Sequence, residues 1–129
     1  MVDGSYSSEV LARLREPRNL GSLPREDPDV GTGEAREEGT GRLVRVQLRV
    51  DSVGVVREAC FKAFGCPATI ASASLVAERA SGVPLAALPA VTGEELAQAL
   101  RLGPERRVAA ETALAALQAA IEQLRGRRR

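Results

Sequence analysis

The sequence predicts an α+β fold, with a small antiparallel sheet of about three strands and helices packed on one of its faces. Three observations point there. Arg42–Asp51 alternates apolar and polar residues, and a second extended segment, Val55–Phe64, follows it after a turn, as in antiparallel neighbours. The apolar periodicity before and after these segments is helical. The length of 129 residues suits one domain, 1–129, and a chain of this size buries roughly two thirds of its unfolded surface.

Tyr6–Glu16 reads as a short amphipathic helix, with Val10, Leu11 and Leu14 on one face. Pro17 ends it, because proline disfavours helical geometry in the preceding residue. Arg18–Gly41 is broken by proline and glycine and reads as loop, with one edge strand near Val30–Ala35. In Arg42–Asp51, Val44, Val46, Leu48 and Val50 alternate with Arg45, Gln47, Arg49 and Asp51, so one face is buried and the other wet. Asp51–Gly54 supplies turn residues. In the returning strand Val55–Phe64, Ala59, Phe61 and Ala63 face one way, and Glu58, Cys60 and Lys62 the other.

Gly65-Cys66-Pro67 switches the chain from strand to helix, with Pro67 suited to the first helical position. Ala68–Ser81 is the helix, and Gly82 stands where a left-handed cap is expected. Thr92-Gly93-Glu94-Glu95 forms a capping box that opens a short helix to Arg101. Gly103-Pro104 starts the last helix, which runs to about Arg125 and carries the stripe Leu114, Leu117, Ile121 and Leu124. Residues 1–5 and 125–129 read as flexible tails.

Composition removes several function classes. The chain has no histidine, which excludes His-dependent triads, His bases and His metal ligands. Formal net charge is +1, which argues against general affinity for nucleic acid or anionic membrane. One Tyr, two Phe and no Trp leave little for base stacking. The uncharged stretches Ala63–Ala77 and Ala80–Gly93 fall short of a membrane span. No charged and then apolar leader is visible, so a reducing cytoplasm is the expected compartment. A bridge between Cys60 and Cys66 is not expected, since six extended steps span about 20 Å and a disulfide needs Cα atoms about 4.4–6.8 Å apart.

Cys66 is the position that local physics marks out. At a helix N-terminus, unpaired N–H groups and the helix dipole favour an anion, which makes a thiol there a better nucleophile or metal ligand. The alternative is a small buried residue at a tight turn. Cys60 reads as a tolerated small residue on the polar side of a half-covered sheet. Glu34, Glu37 and Glu38 read as a solvated acidic loop, since the regular oxygen spacing of a calcium loop is missing. The terminal arginines read as a solubilising end. Gly31-Thr32-Gly33 lacks the strand–loop–helix setting of a phosphate loop.

Two stretches also resemble a known family. Tyr6-Ser7…Val10-Leu11, Pro17-Arg18-Asn19-Leu20-Gly21 and Asp29-Val30-Gly31-Thr32-Gly33 resemble the opening of the IscU/NifU N-terminal-type iron–sulfur cluster assembly scaffolds. Phe61–Ser74, which reads Phe-Lys-Ala-Phe-Gly-Cys-Pro-Ala-Thr-Ile-Ala-Ser-Ala-Ser, is similar to that family's strand, second cysteine and helix. The likeness runs in register from about Tyr6 to Ile121, and the Isc-like branch fits because the SUF-type insertion before the last helix is absent. The resemblance implies a non-enzymatic scaffold that carries a nascent [2Fe–2S] cluster, iron or zinc. It implies a cysteine desulfurase as partner, with another scaffold or a chaperone beside it, and leaves a homo-oligomer open.

Residue by residue, most of the family's ligand set is replaced. Thr40 stands at the first cysteine and Arg42 at the aspartate, in Gly39-Thr40-Gly41-Arg42. Cys66 keeps the second cysteine, while Val108 and Ala109 replace the His-Cys pair at the last helix. The chaperone-docking motif is reduced to Leu102-Gly103-Pro104-Glu105-Arg106. Zinc wants four N or S donors and iron–sulfur clusters want thiolates, which Thr40, Val108 and Ala109 do not supply. Arg42 puts a cation where a cation would bind; at ~4 Å the repulsion is about 1 kcal/mol in water and about 4 at an effective dielectric of 20. The same Arg42 would stabilise an anion, so the residues point to Cys66 as a sulfur acceptor or the sole remaining iron or cluster ligand. The simultaneous losses also fit a non-catalytic paralogue that binds a desulfurase or a true scaffold and regulates it.

Overall fold

A computed structural model describes residues 6–128, so the expected tail at 1–5 and Arg129 lie outside the described residues. Helix α1 spans Ser8–Arg15 and is followed by strands β1 (Val30–Arg36), β2 (Leu43–Val50) and β3 (Val56–Phe64). Helices α2 (Pro67–Ala80), α3 (Gly93–Leu100) and α4 (Arg107–Arg127) follow, with short 3₁₀ turns at Leu85–Ala87 and Pro104–Arg106. The strands form one three-stranded antiparallel sheet in the order β1-β2-β3. The α+β class, the sheet and the helix-covered face are as the sequence predicts.

The alternation in β2 sets which side is buried. Val44 pairs with Ala63, Val46 with Phe61 and Leu48 with Ala59, and this side meets α2 and α4. Burying each Val, Leu or Phe here contributes roughly 1.5–3 kcal/mol. On α4, Leu117, Ile121 and Leu124 enter the core as expected, joined by an alanine face of Ala113, Ala116 and Ala120.

That alanine face explains Gly31 and Gly33. A Cβ on Gly33 would lie 2.1 Å from the Ala116 carbonyl oxygen, and one on Gly31 would lie 2.5 Å from that of Ala120. The two glycines therefore let α4 approach β1 to backbone contact. The Gln123 side chain of α4 adds an acceptor, its Oε1, for the Thr32 N–H at 2.8 Å.

Caps appear where the sequence puts them. Thr92 and Glu95 complete the expected capping box at α3, whereas α1 begins only at Ser8, inside the expected Tyr6–Glu16, because Ser7 caps it by accepting the Val10 N–H. Ser7 Oγ also donates to the Leu100 carbonyl at 2.6 Å, tying α1 to the end of α3. Gly82 has φ +82, the left-handed conformation expected after α2.

Four expectations need correction. Only Val10 of α1 is buried and Leu11 is 43% exposed, because the helix is met on one narrow side by α2 and α3. The wet face of the sheet is covered at its centre. Residues Asn19–Gly21 run along β3, with Gly21 N–H donating to the Phe61 carbonyl at 3.0 Å and Phe61 N–H to that of Asn19 at 2.9 Å. Gln47, 2% exposed, donates to the Leu23 carbonyl at 2.9 Å and accepts the Leu23 N–H at 2.8 Å. Cys60, at 9% exposure, lies beneath the same segment and is not on a half-covered surface. The third correction is Glu37, buried at 8% exposure where a solvated loop is expected. The fourth is the C-terminal end, where α4 continues to Arg127. Arg127 donates to the Asp27 carbonyl at 2.8 Å and the Arg25 carbonyl at 3.2 Å, so this part of the expected tail is anchored. Among the described residues, no helix is long and apolar enough to cross a membrane.

Candidate functional site

The singled-out residues gather toward one end of the sheet. Arg36, Leu43 and Phe64 are register partners there, so the β1–β2 loop and the Gly65-Cys66 junction emerge side by side. Helix α4 runs antiparallel to β1, with Leu124 and Ala120 over Gly31 and Ala116 over Gly33, so its first turn, with Val108 and Ala109, points to that same end. The β1–β2 loop and the start of α2 thus lie side by side, and the start of α4 is directed toward the same end.

Cys66 is the N-cap of α2, with φ −76 and ψ 167, and Pro67 opens the helix behind it. Its sulfur is partly buried and lies 3.4 Å from the Thr69 hydroxyl oxygen. Burial alone would push the thiol up. The Thr69 hydroxyl, the backbone N–H groups of Thr69 and Ala68 and the charge of Arg42 together outweigh it, and Cys66 titrates below its ordinary 9.0. Cys60 goes the other way, since burial pushes its thiol above 9.0, with Arg45 and Lys62 opposing and Glu58 adding to the shift. Both cysteines are free.

Arg42 is turned to a partner that sequence reasoning missed. Its Nη1 donates to Glu37 Oε2 at 3.0 Å and Oε1 at 3.3 Å. Thr40 Oγ1 donates to Glu37 Oε2 at 2.8 Å and accepts the Arg42 N–H at 3.2 Å. Glu37 N–H closes the loop on the Arg42 carbonyl at 2.8 Å. Gly39 and Gly41, at φ +83 and +76, supply the left-handed steps of this loop. The signal that could have found it is Glu37, Thr40 and Arg42 spaced around two glycines in a hairpin loop. Thr69 was also missed; its sign is a hydroxyl three residues after an N-cap, the spacing at which caps and first turns meet.

The stem of Arg42 lies against the Cys66 junction. A Cβ on Gly65 would fall 2.9 Å from Arg42 Cγ and 3.1 Å from Thr69 Oγ1, so the glycine leaves room for both. Ala109 is buried and Val108 is exposed, and neither offers a donor atom. Among the described residues, no group of three or more Cys, His, Asp or Glu side chains is placed to hold a metal ion. The residues present therefore do not fit a zinc ion or a [2Fe–2S] cluster held within one chain. Phe64, 75% exposed, stands beside this end on the outer face of the sheet.

Residues 5–129 match the model of the NifU-like N-terminal domain. The chain is 36% identical over 117 residues to the iron–sulfur cluster assembly scaffold protein IscU of Haemophilus influenzae, covering 91% of this chain and 93% of that one. It is 33% identical over 124 residues to IscU of Escherichia coli K12, covering 96% and 97%. Of solved structures, the N-terminal part of a NifU-like protein from Brucella abortus superposes with a TM-score of 0.71 at 19% identity, covering 93% and 94%. A putative SUF-system scaffold from Fervidobacterium islandicum gives 0.69 at 14%, covering 90% and 96%. These last two show a shared fold.

Proposed function

Because the chain belongs to the NifU-like N-terminal domain family, we propose that it serves iron–sulfur cluster assembly as a non-enzymatic, scaffold-type protein whose Cys66 receives sulfur. The observation that carries this is the Cys66 sulfur at the N-terminus of α2, beside the Thr69 hydroxyl, the Ala68 and Thr69 amides and Arg42. These groups favour a thiolate, the form that accepts a sulfane sulfur. The thiolate attacks the outer sulfur of a persulfide on a cysteine desulfurase. The donor's S–S bond breaks, the donor cysteine leaves as thiolate, and Cys66 becomes the persulfide with no net redox change. Iron or a cluster is cargo in this role. With Cys66 as the one family donor left, its other ligands come from a second chain or a partner protein. The cytoplasm, where thiols stay reduced, is the compartment this chemistry suits.

Incubation with a desulfurase and cysteine tests the reading. The expected result is a mass gain of one sulfur atom on Cys66, absent in Cys66→Ala. Absence of that mass gain on the unaltered chain would sink it.

A second reading is favoured by the Glu37–Arg42 pair together with the absent donors at Thr40, Val108 and Ala109. In it the chain docks on a desulfurase or a complete scaffold and regulates it without carrying sulfur. Desulfurase binding unchanged by Cys66→Ala, with no persulfide on the unaltered chain, would select this reading.

A further inference from the structure

The β1–β2 loop already contains a cation. Glu37 is a buried carboxylate, and a buried carboxylate requires a partner. Arg42 supplies the positive charge and Thr40 a neutral donor, with the contacts given above. The same Arg42 stem packs on Gly65 and beside Thr69, so one side chain links the β1–β2 loop to the strand–helix junction that presents Cys66. A shared metal ion would make the same link between loop and junction, which is the arrangement the resemblance implies. An incoming cation here would have to displace a guanidinium from its carboxylate and would find one thiol as its soft donor.

We propose that the Glu37–Thr40–Arg42 loop takes the place of a bound metal ion in this chain, and that the protein folds with no metal held by its own side chains alone. The inference rests on the family register used for the proposed function, but it does not depend on whether Cys66 receives sulfur.

The test is zinc titration of the full chain by calorimetry, with melting followed with zinc and with chelator. The expected result is no one-per-chain zinc uptake and the same Tm in both conditions. Arg42→Met should melt several degrees below the unaltered chain, and zinc should not restore it. The conservative pair Glu37→Gln with Arg42→Met should recover part of that loss, since no unpaired charge is left buried. Replacing the three positions together (Thr40→Cys, Arg42→Asp and Ala109→Cys) should create one-per-chain zinc binding and a zinc-dependent rise in Tm. The proposal is overturned by stoichiometric zinc on the unaltered chain with a raised Tm, by Arg42→Met melting like the unaltered chain, or by a folded triple variant that ignores zinc. If the triple variant does not fold, the first two measurements decide. Persulfide formation on Cys66 is read separately by mass, so failure of sulfur transfer and failure of this proposal are told apart.

Discussion

Two cysteines six positions apart have opposite chemistry here, and the difference lies in what faces each sulfur. Cys66 is met by amide hydrogens, a hydroxyl and a guanidinium charge, whereas Cys60 is met by a covering segment and by Gln47 Oε1 at 4.0 Å. Alkylation against pH should therefore modify Cys66 first, with an inflection below 9.0, and reach Cys60 only at higher pH. Thr69→Val removes the hydroxyl and should slow Cys66 labelling at neutral pH roughly two- to tenfold, the equivalent of about 0.5–1.5 kcal/mol. An unchanged rate would remove Thr69 from the account. The sign for stability follows the acid rule. The folded Cys66 value is lowered, so its contribution is complete above the unfolded 9.0 and is lost as pH falls through the folded value. Position 66 stands out from its neighbours Gly65 and Pro67 in sequence alone. Glu37 does not, because a carboxylate in a glycine-broken loop looks solvated until Arg42 and Thr40 are seen folded back on it.

Elements were legible where their pattern is local. The β2 alternation, the Thr92–Glu95 capping box and the Pro67-to-Gly82 limits of α2 all depend on near neighbours, and the structure has them there. The contact between β1 and α4 depends on residues some ninety positions apart, and two glycines in a strand do not announce it. Gly33→Ala drives a methyl into the α4 backbone, 2.1 Å from the Ala116 carbonyl and 2.3 Å from Ala120 N. It should cost about 3 kcal/mol, the upper end of the overpacking range, read from the urea midpoint. A cost below about 1 kcal/mol would mean α4 moves away freely. The β2–β3 turn offers a second check. Asp51 Oδ1 accepts the Val53 and Val55 N–H groups, both at 3.0 Å, and Oδ2 accepts from Arg57 at 2.6 Å. The Val55 N–H is the main cause of a carboxyl held below its ordinary 3.8; partial burial opposes it, and Arg57 and the Val53 N–H add to it. Its contribution is present above 3.8 and is lost as pH falls through the lowered folded value. Asp51→Asn should lower Tm slightly at neutral pH, and the gap to the unaltered chain should close in acid.

At the scale of the whole molecule, the fold keeps three separate stretches of sequence aimed at one end of a sheet, although most of the side chains that would justify this aim have changed. The sheet order and the helix-covered face could be read from sequence, because one alternating strand fixes which side is wet. What lies on the wet side could not, because Asn19–Leu23 has no periodicity of its own and is placed by Gln47 and the edge of β3. The convergence at the loop end is a property of topology, which is why restoring donors at Thr40, Arg42 and Ala109 is a fair test of the architecture.

The Gln123 carboxamide on the Thr32 amide has a consequence for assembly. An open ladder rung is an invitation to any extended chain that drifts past, and here the neighbouring helix has already answered it. Growth of this sheet into a longer ribbon with its twin is obstructed at that margin.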